Sequence, residues 1–561
     1  MISNAKPEAE PPPKERTARR SRSGCWTCRS KTVKKRCDQQ RPCGRCSRLN
    51  LYCDYSVRPT LAERREAVRK TSSTQAGDGI ERGPASSPTS SNCSTSPPLS
   101  IINISAPAST VSSLELSSAD HEAIRHFRTE FPKSHHVKNT DYSLISLMFN
   151  LAHDDPMIMH MVLAVGLQEM SSRRPILLSS ELQSSLQHYS SAIRLMARAV
   201  SPMASLDKVD ATYTALWMML LYEQQFGDSL CTAYVHHLEA VSSLLYHQFQ
   251  PLLIRPSTNS EVTETSLALR EKSGSRENTT LSLYSARVLI WIAQLDAAAA
   301  SSGIGGQVNS AILSTLSQSS VVSSTPFMDP ITAFSSLHQY SGPLYRLAWG
   351  DEYPHNEMLD DVENRDAYSL LAGCVQLRFM TAQLATLYQT DLVTASQLAV
   401  KVEDSIKRVG ETFDELIVMA SKLSLETDNS HRVIANVRVI VPIYFAIVLD
   451  FLRLTRFDLP LGGQQRHALR VIMNLAFQNH RHGGDEALIK LAWPLFIAAL
   501  ETDDLLHREW ILGRFETGSK YGKNFERAYN FLRKIIPTQQ RLGKRIDVRE
   551  EMSKAALFVL G

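Results

Sequence analysis

Six of the nine cysteines lie within 29 residues near the N-terminus and carry the clearest chemistry in the chain. They form two Cys-x2-Cys pairs, each followed by one further cysteine: Cys25, Cys28, Cys37, Cys43, Cys46 and Cys53. A structural zinc ion takes four ligands in a tetrahedron, and thiolates are among its preferred ligands. One such ion would leave two of the six thiols without a metal, whereas two ions can share all six if two cysteines bridge both metals. The count therefore favours a binuclear cluster that holds two Zn2+ ions.

Basic residues fill the gaps between these cysteines. They are Arg29, Lys31, Lys34, Lys35, Arg36, Arg41, Arg45 and Arg48. Residues 1–70 carry a net charge of +12 and the remaining residues −8, although the whole chain carries only +4. A strongly basic segment on an acidic body indicates a nucleic acid as the partner of that segment.

The cysteine segment has almost no apolar core, so metal binding must supply its folding energy. Structural zinc contributes on the order of 10–16 kcal/mol, which is enough to fold so short a segment. The first 22 residues lack the apolar run of a secretory signal. We therefore expect a reducing compartment, in which clustered cysteines bind metal rather than form disulfides.

The elements that position this chemistry divide into four zones. Residues 1–23 are rich in proline, serine and charge and are expected to be a disordered basic N-terminus. Residues 24–55 hold the cysteines. Residues 56–118 combine a basic segment with a Ser/Thr/Pro-rich linker, which we expect to be disordered. Residues 119–561 follow the spacing of amphipathic helices and predict a large all-α domain.

Several local patterns in the large domain predict its elements. Asp155-Pro156 is typical of a helix start, and the apolar run at 157–170 predicts a central helix. Residues 251–280 and 301–330 are polar or small and are predicted to be loops. No stretch reaches the roughly 18–20 apolar residues that span a bilayer. The most apolar run, 439–449, is therefore predicted to be a buried core helix, and no membrane partner is expected.

The cysteine segment resembles the fungal binuclear zinc cluster family of transcription regulators. The matching residues are Cys25-Trp26-Thr27-Cys28-Arg29, Lys35-Arg36-Cys37-Asp38, Arg41-Pro42-Cys43-Gly44-Arg45-Cys46 and Cys53. The resemblance implies that Cys25 and Cys43 bridge the two metals. One ion would then add Cys28 and Cys37, and the other would add Cys46 and Cys53. It further implies a nuclear regulator of RNA polymerase II genes that binds double-stranded DNA and reads CGG-type triplets in the major groove. The DNA contacts would come from Arg29, Lys31, Lys34, Lys35, Arg36 and Arg45.

One departure from the family pattern concerns the DNA-reading side of the cluster. Eight residues separate Cys28 from Cys37, where the family has six. The longer loop costs only about 0.3 kcal/mol, so metal binding should survive. Two extra residues in a helix would turn later side chains by about 200°, however. Counting back from Cys37 makes Lys34 the base reader, whereas counting forward from Cys28 gives Thr32; we favour Lys34. The alternative is a helical interaction or sensor protein whose zinc cluster no longer reads DNA.

Six local matches lie in the large domain: His121–Phe131, Asp155–Gln168, Leu220-Leu221-Tyr222-Glu223, His237-Leu238-Glu239-Ala240, Trp493–Ala498 and Arg508–Ile511. Through them the domain resembles the second type of fungal-specific regulatory domain over roughly residues 120–540. The resemblance implies a domain that controls transcriptional activation.

The large domain offers little sign of catalysis. His121-Glu122-x3-His126 misses the zincin spacing by one residue, and we expect a solvated helix N-terminus there. His236-His237 is expected to pack or cap, and Gly303–Gly306 lacks the dinucleotide-binding fingerprint. We therefore predict that the chain is not an enzyme. Binding of transcriptional co-regulators and homodimerisation both stay open.

Overall fold

The computed structural model describes the large C-terminal part of the chain and a short piece of the cysteine segment. The described residues are 38, 40, 41, 43–48, 114–135, 138–174, 179–199, 209–248, 281–318, 329–427, 431–456 and 461–561. The chain divides into two compact units, Met1–Ile102 and Asn103–Gly561. Every regular element within the described ranges is helical, which confirms the all-α prediction for the large domain.

The first unit contributes one described helix, α1 (Gly44–Arg48). The first half of the second unit contains α2 (Ser118–Thr129), α3 (Phe131–His135), α4 (Leu144–Asp154), α5 (Pro156–Arg173), α6 (Ser179–Ala199), α7 (Val209–Phe226), α8 (Thr232–Gln248), α9 (Leu283–Ser301), α10 (Gln307–Gln318), α11 (Pro330–Tyr340), α12 (Leu344–Trp349) and α13 (His355–Glu363). The second half contains α14 (Arg365–Thr390), α15 (Leu392–Thr412), α16 (Asp414–Lys422), α17 (Arg432–Thr455), α18 (Gly463–Gly483), α19 (Ala492–Glu501), α20 (Leu505–Gly518), α21 (Lys523–Leu542) and α22 (Val548–Lys554). Short 3-10 turns lie at Thr140–Tyr142, Gly350–Glu352, Asp485–Leu491 and Ser519–Tyr521.

The first of two hydrophobic cores is built around α5. Asp155 caps this helix by accepting a hydrogen bond from the Met157 N–H at 2.8 Å, and Pro156 occupies its first turn. Both residues act as the sequence predicts, because the cap satisfies an amide that the helix leaves open and proline needs no such bond. Helices α2, α4, α6 and α7 pack around α5 and bury nearly all of its faces. The prediction of a central helix at this point is confirmed.

The second core is built around α17, which packs against α14, α18 and α19. The run 439–449 is buried inside α17, as predicted. Both α14 and α17 are nevertheless long and apolar enough to cross a membrane, so the expectation that no segment reaches that length is wrong. In each helix the residues on either side of the apolar run are also helical, so the whole helix is long enough to span a bilayer. The apolar windows of the two helices are 78% and 67% buried within the protein, as core helices of a soluble protein are.

Part of the predicted loop at 301–330 is a helix. In α10 the side chains of Val308, Ala311, Ile312 and Leu316 are buried against the first core. Their spacing follows one face of a helix, but the asparagine, serine and threonine residues among them obscure that pattern. The other predicted loop, 251–280, lies outside the described residues.

The glycine cluster before α10 forms a turn around a buried carboxylate. Asp296 accepts hydrogen bonds from the backbone N–H groups of Gly306 and Asn309, each at 2.8 Å. The Asn309 side-chain amide donates a third bond at 2.7 Å. Gly306 adopts a φ of +105°, a conformation that L side chains rarely adopt. The glycines therefore close a structural turn between α9 and α10.

Candidate metal centre and DNA-binding segment

The second Cys-x2-Cys pair lies at the start of α1. Cys43 precedes the helix, Cys46 occupies its first turn, and both side chains are fully buried. The Cys46 N–H donates a hydrogen bond to the Cys43 Sγ atom at 3.4 Å, and the Ser47 N–H donates to the Cys43 carbonyl at 2.9 Å. An amide donor and the positive end of a helix both favour a thiolate over a thiol. The surroundings of Cys43 are thus compatible with the predicted role of this pair as zinc ligands.

Asp38 fixes the chain between the third cysteine and this pair. Its Oδ2 atom accepts the Gly44 N–H at 2.7 Å, and its Oδ1 atom accepts the Gln40 N–H at 3.2 Å. A Cβ atom at position 44 would lie only 2.8 Å from the Asp38 Oδ2, so glycine leaves the space that the carboxylate needs. The aspartate thus satisfies an open amide of α1 and holds Cys43 at its start.

The remaining predicted site residues lie outside the described part of the chain. They are Cys25, Cys28, Cys37 and Cys53 among the metal ligands, and Arg29, Lys31, Lys34, Lys35 and Arg36 among the DNA contacts. Arg45 lies on α1, but its side chain is not described. Within the described ranges no three metal-ligating side chains come together. Two points therefore stay predictions: which cysteines bind which zinc ion, and which residues contact DNA.

The histidine pair that resembles a zincin motif has a structural role. A capping box between Ser117 and Asp120 starts α2, and the His121 Nδ1 lies 2.8 Å from the Ser117 carbonyl. His126 is not solvated, contrary to the expectation, because its Nε2 lies 2.9 Å from Oε2 of the buried Glu169. That partner lies 43 residues along the chain. Sequence spacing alone gives no sign of such a contact.

Burial holds three other titratable side chains of the large domain in their neutral forms. His237 packs in α8, where its Nε2 lies 2.8 Å from the Tyr189 hydroxyl. Burial lowers the pKa of His237 to about 4, so the ring is neutral at physiological pH. Burial likewise raises the pKa of the Cys231 thiol to about 11 and raises that of Cys374 further. Groups of this kind stabilise a core and supply no nucleophile at neutral pH.

A large cavity in the second unit was not apparent from the sequence. Its volume is about 1080 Å3, and its walls come from segments as far apart as α3 and α21. Arg287 and Trp291 face it from one helix, α9, at an i, i+4 spacing. That spacing is common on amphipathic helices, so no local motif indicates the cavity.

Comparison with protein families gives two matches. Residues 23–61 match the fungal Zn(2)-Cys(6) binuclear cluster domain. Residues 125–276 and 443–535 match the fungal specific transcription factor domain. No curated protein and no solved structure matches the chain. The cluster domain binds two zinc ions, which confirms the predicted cofactor, and the two domains together are those of a DNA-binding transcription regulator.

Proposed function

The chain belongs to the fungal transcription factors that join a Zn(2)-Cys(6) cluster to a fungal specific transcription factor domain, and we propose that it reads CGG-type triplets in the major groove. It would do so in the nucleus, as a regulator of RNA polymerase II genes. The observation that carries this proposal is the second Cys-x2-Cys pair, buried at the start of α1 beneath Asp38.

The zinc cluster would act as the scaffold of the DNA-reading surface. The six-cysteine count requires two bridging ligands, and the resemblance to the zinc cluster family assigns these to Cys25 and Cys43. Zinc supplies the tetrahedral geometry that holds two short basic segments in a fixed relation. Residues 24–55 would form this domain, and residues 119–561 would form the regulatory domain.

The proposed DNA contacts are of two kinds, contacts to the backbone and contacts to the bases. Most protein–DNA hydrogen bonds go to phosphates and sugars, which fix the register of the protein without reading sequence. We assign this role to five basic residues: Arg29, Lys31, Lys35, Arg36 and Arg45. Lys34 would read a guanine, since a lysine in the major groove donates to the O6 and N7 acceptors of that base.

A second candidate function rests on the eight residues between Cys28 and Cys37. The chain would then be a helical interaction or sensor protein that holds zinc without reading DNA. Deleting two residues from 30–33 separates the candidates. A gain of CGG-specific binding would show that the longer segment blocks reading, whereas a loss would show that Lys34 already stands in the reading position.

Site selection with the full-length protein tests the main proposal. The purified chain is incubated with a random pool of duplexes, and the bound fraction is amplified and sequenced over several rounds. Enrichment of CGG triplets is the expected result, and the number and spacing of triplets would report a monomer or a dimer. A pool that stays random after zinc loading would contradict the proposal.

A further inference from the structure

The cavity of the second unit lies where the two hydrophobic cores meet. Trp217 and Ile290 line it from the first core, and Ile440 and Phe525 line it from the second. Its volume of about 1080 Å3 reaches the upper end of the range of small-molecule sites, roughly 300–1,000 Å3. A molecule bound there would contact both cores at once.

One part of the cavity wall is apolar and open. The rings of Trp217 and Trp291 lie 5.2 Å apart between centroids, and both residues line the cavity. On α13, the side chains of Met358, Leu359 and Val362 also line it and are 37%, 66% and 59% exposed. Apolar side chains this exposed gain free energy when an apolar group covers them, about 25 cal/mol per Å2.

Two of the three acidic side chains in the wall, those of Glu169 and Asp361, are already paired. Glu169 accepts a hydrogen bond from His126 and lies 3.4 Å from the Arg173 guanidinium. Asp361 forms an ion pair with Lys138 at 2.5 Å. These carboxylates therefore contribute little negative field to the cavity.

Three arginines in the wall form no ion pair with a described carboxylate. Arg287 donates from Nη2 to the Ser341 carbonyl at 3.0 Å, and its Nε has no hydrogen-bond partner. Within the described part of the chain, no carboxylate forms an ion pair with Arg287, Arg346 or Arg365. Asp366 also lines the cavity and forms no ion pair with a described cation. The three arginines outnumber Asp366 and the carboxylate of the lining residue Gly561, so the uncompensated groups sum to a positive charge. A guanidinium presents several N–H donors in a plane and suits an acid group with two oxygens.

We propose that this cavity binds a small amphipathic anion. Its aromatic or aliphatic body would lie against Trp217 and Trp291, and its acid group would contact the guanidinium of Arg287. Because the ligand bridges both cores, its binding would stabilise the large domain by mass action. The proposal concerns the large domain alone and stands whether or not the zinc cluster reads CGG triplets.

A matched pair of fluorescent probes tests the proposal on the full-length protein. The anion is 8-anilinonaphthalene-1-sulfonate, and the neutral control is N-phenyl-1-naphthylamine, which has the same ring system without the sulfonate. We expect saturable binding of the anion at one site per chain and weaker binding of the neutral probe. Equal affinity for the two probes would overturn the assignment of an acid group.

Two variants locate the binding. R287Q should weaken binding of the anion about tenfold, because one charged hydrogen-bonding partner is lost, and should leave the neutral probe unchanged. R125Q is the control, since Arg125 is an exposed arginine outside the cavity. Q294W places a bulky ring in the cavity and should abolish binding of both probes, with circular dichroism as the check on folding. Unchanged anion affinity in folded R287Q, or an unchanged signal in folded Q294W, would overturn the proposal.

Discussion

The Oδ2 atom of Asp38 accepts a hydrogen bond from the backbone N–H of Gly44 at 2.7 Å, where α1 begins. This bond holds the segment before the second Cys-x2-Cys pair against the helix that carries Cys46. It is the described contact that most directly couples chain geometry to the zinc ligands.

Removing this contact should loosen the metal. We expect D38A to lower the free energy of zinc binding by about 1 kcal/mol, the usual value of a helix-capping side chain. G44A should have a similar effect, because its Cβ would displace the same carboxylate. The measurement is competition with a chromophoric zinc chelator, in which about fivefold less chelator should remove the metal.

The double variant distinguishes this contact from general damage. Two changes that break one hydrogen bond should not add, so D38A/G44A should resemble either single variant. S47A alters an exposed residue of the same helix and should leave zinc release unchanged. Additive effects, or an effect of S47A as large as that of D38A, would refute the role given to Asp38.

Cysteine substitution should show which ligand is shared. The cluster domain binds two zinc ions, and C43S should lose both of them if Cys43 bridges them. C93S changes a cysteine outside the framework and should keep both. Metal content per chain, measured by elemental analysis after gel filtration, decides the matter. One zinc retained in C43S would show that Cys43 binds a single ion.

Glu169 should make the stability of the large domain depend on pH in the acid range. Burial opposes its charge, but the hydrogen bonds from His126 and His135 and the charge of Arg173 outweigh burial and lower its pKa to about 2. A lowered pKa in the folded state contributes stability that is complete above about pH 4.5 and is lost as the pH falls toward 2. The shift corresponds to a contribution on the order of 3 kcal/mol.

Denaturant unfolding of E169Q and the parent protein measures this contribution. The difference in unfolding free energy should be largest near pH 6 and should shrink steadily below pH 4.5. E130Q is the control, because Glu130 forms an exposed pair with Lys133 and should change stability by less than about 0.5 kcal/mol. A difference that stays constant between pH 6 and pH 3 would exclude the pKa assigned to Glu169.

Short sequence patterns predicted those features of the fold that depend on neighbouring residues in the chain, such as the start of a helix. The start of α5 follows from Asp155 and Pro156, because a capping side chain and an amide-free residue act within one turn. The buried run in α17 follows from its composition. By contrast, the sequence did not predict α10, since polar residues on both sides of Ala311-Ile312 interrupt its apolar pattern.

The contacts that define the sites were less accessible to sequence reasoning. His126 meets Glu169 across 43 residues, and the cavity combines Trp217 with Phe525. Such neighbours depend on how helices pack, which no single segment encodes. The zinc framework is different: six cysteines at fixed spacing constrain one metal geometry, so the sequence already indicated two zinc ions.

The proposed base reader can be separated from the phosphate contacts by its sequence dependence. K34A should cost about 1–3 kcal/mol on a CGG duplex and relax the preference at one base pair. K35A should weaken binding to all duplexes alike, since a phosphate contact reads no base. Competition with duplexes that differ at single positions measures both. Equal losses for K34A on CGG and substituted duplexes would remove Lys34 from this role.

The most direct test of the central claim is the affinity of the full-length chain for a CGG-containing duplex and for a scrambled duplex of equal composition. Fluorescence anisotropy at fixed salt would be recorded for the zinc-loaded protein and again after chelation. We predict at least a hundredfold preference for the CGG duplex with zinc present and none after zinc is removed. Equal affinity for the two duplexes in the zinc-loaded protein would contradict the claim.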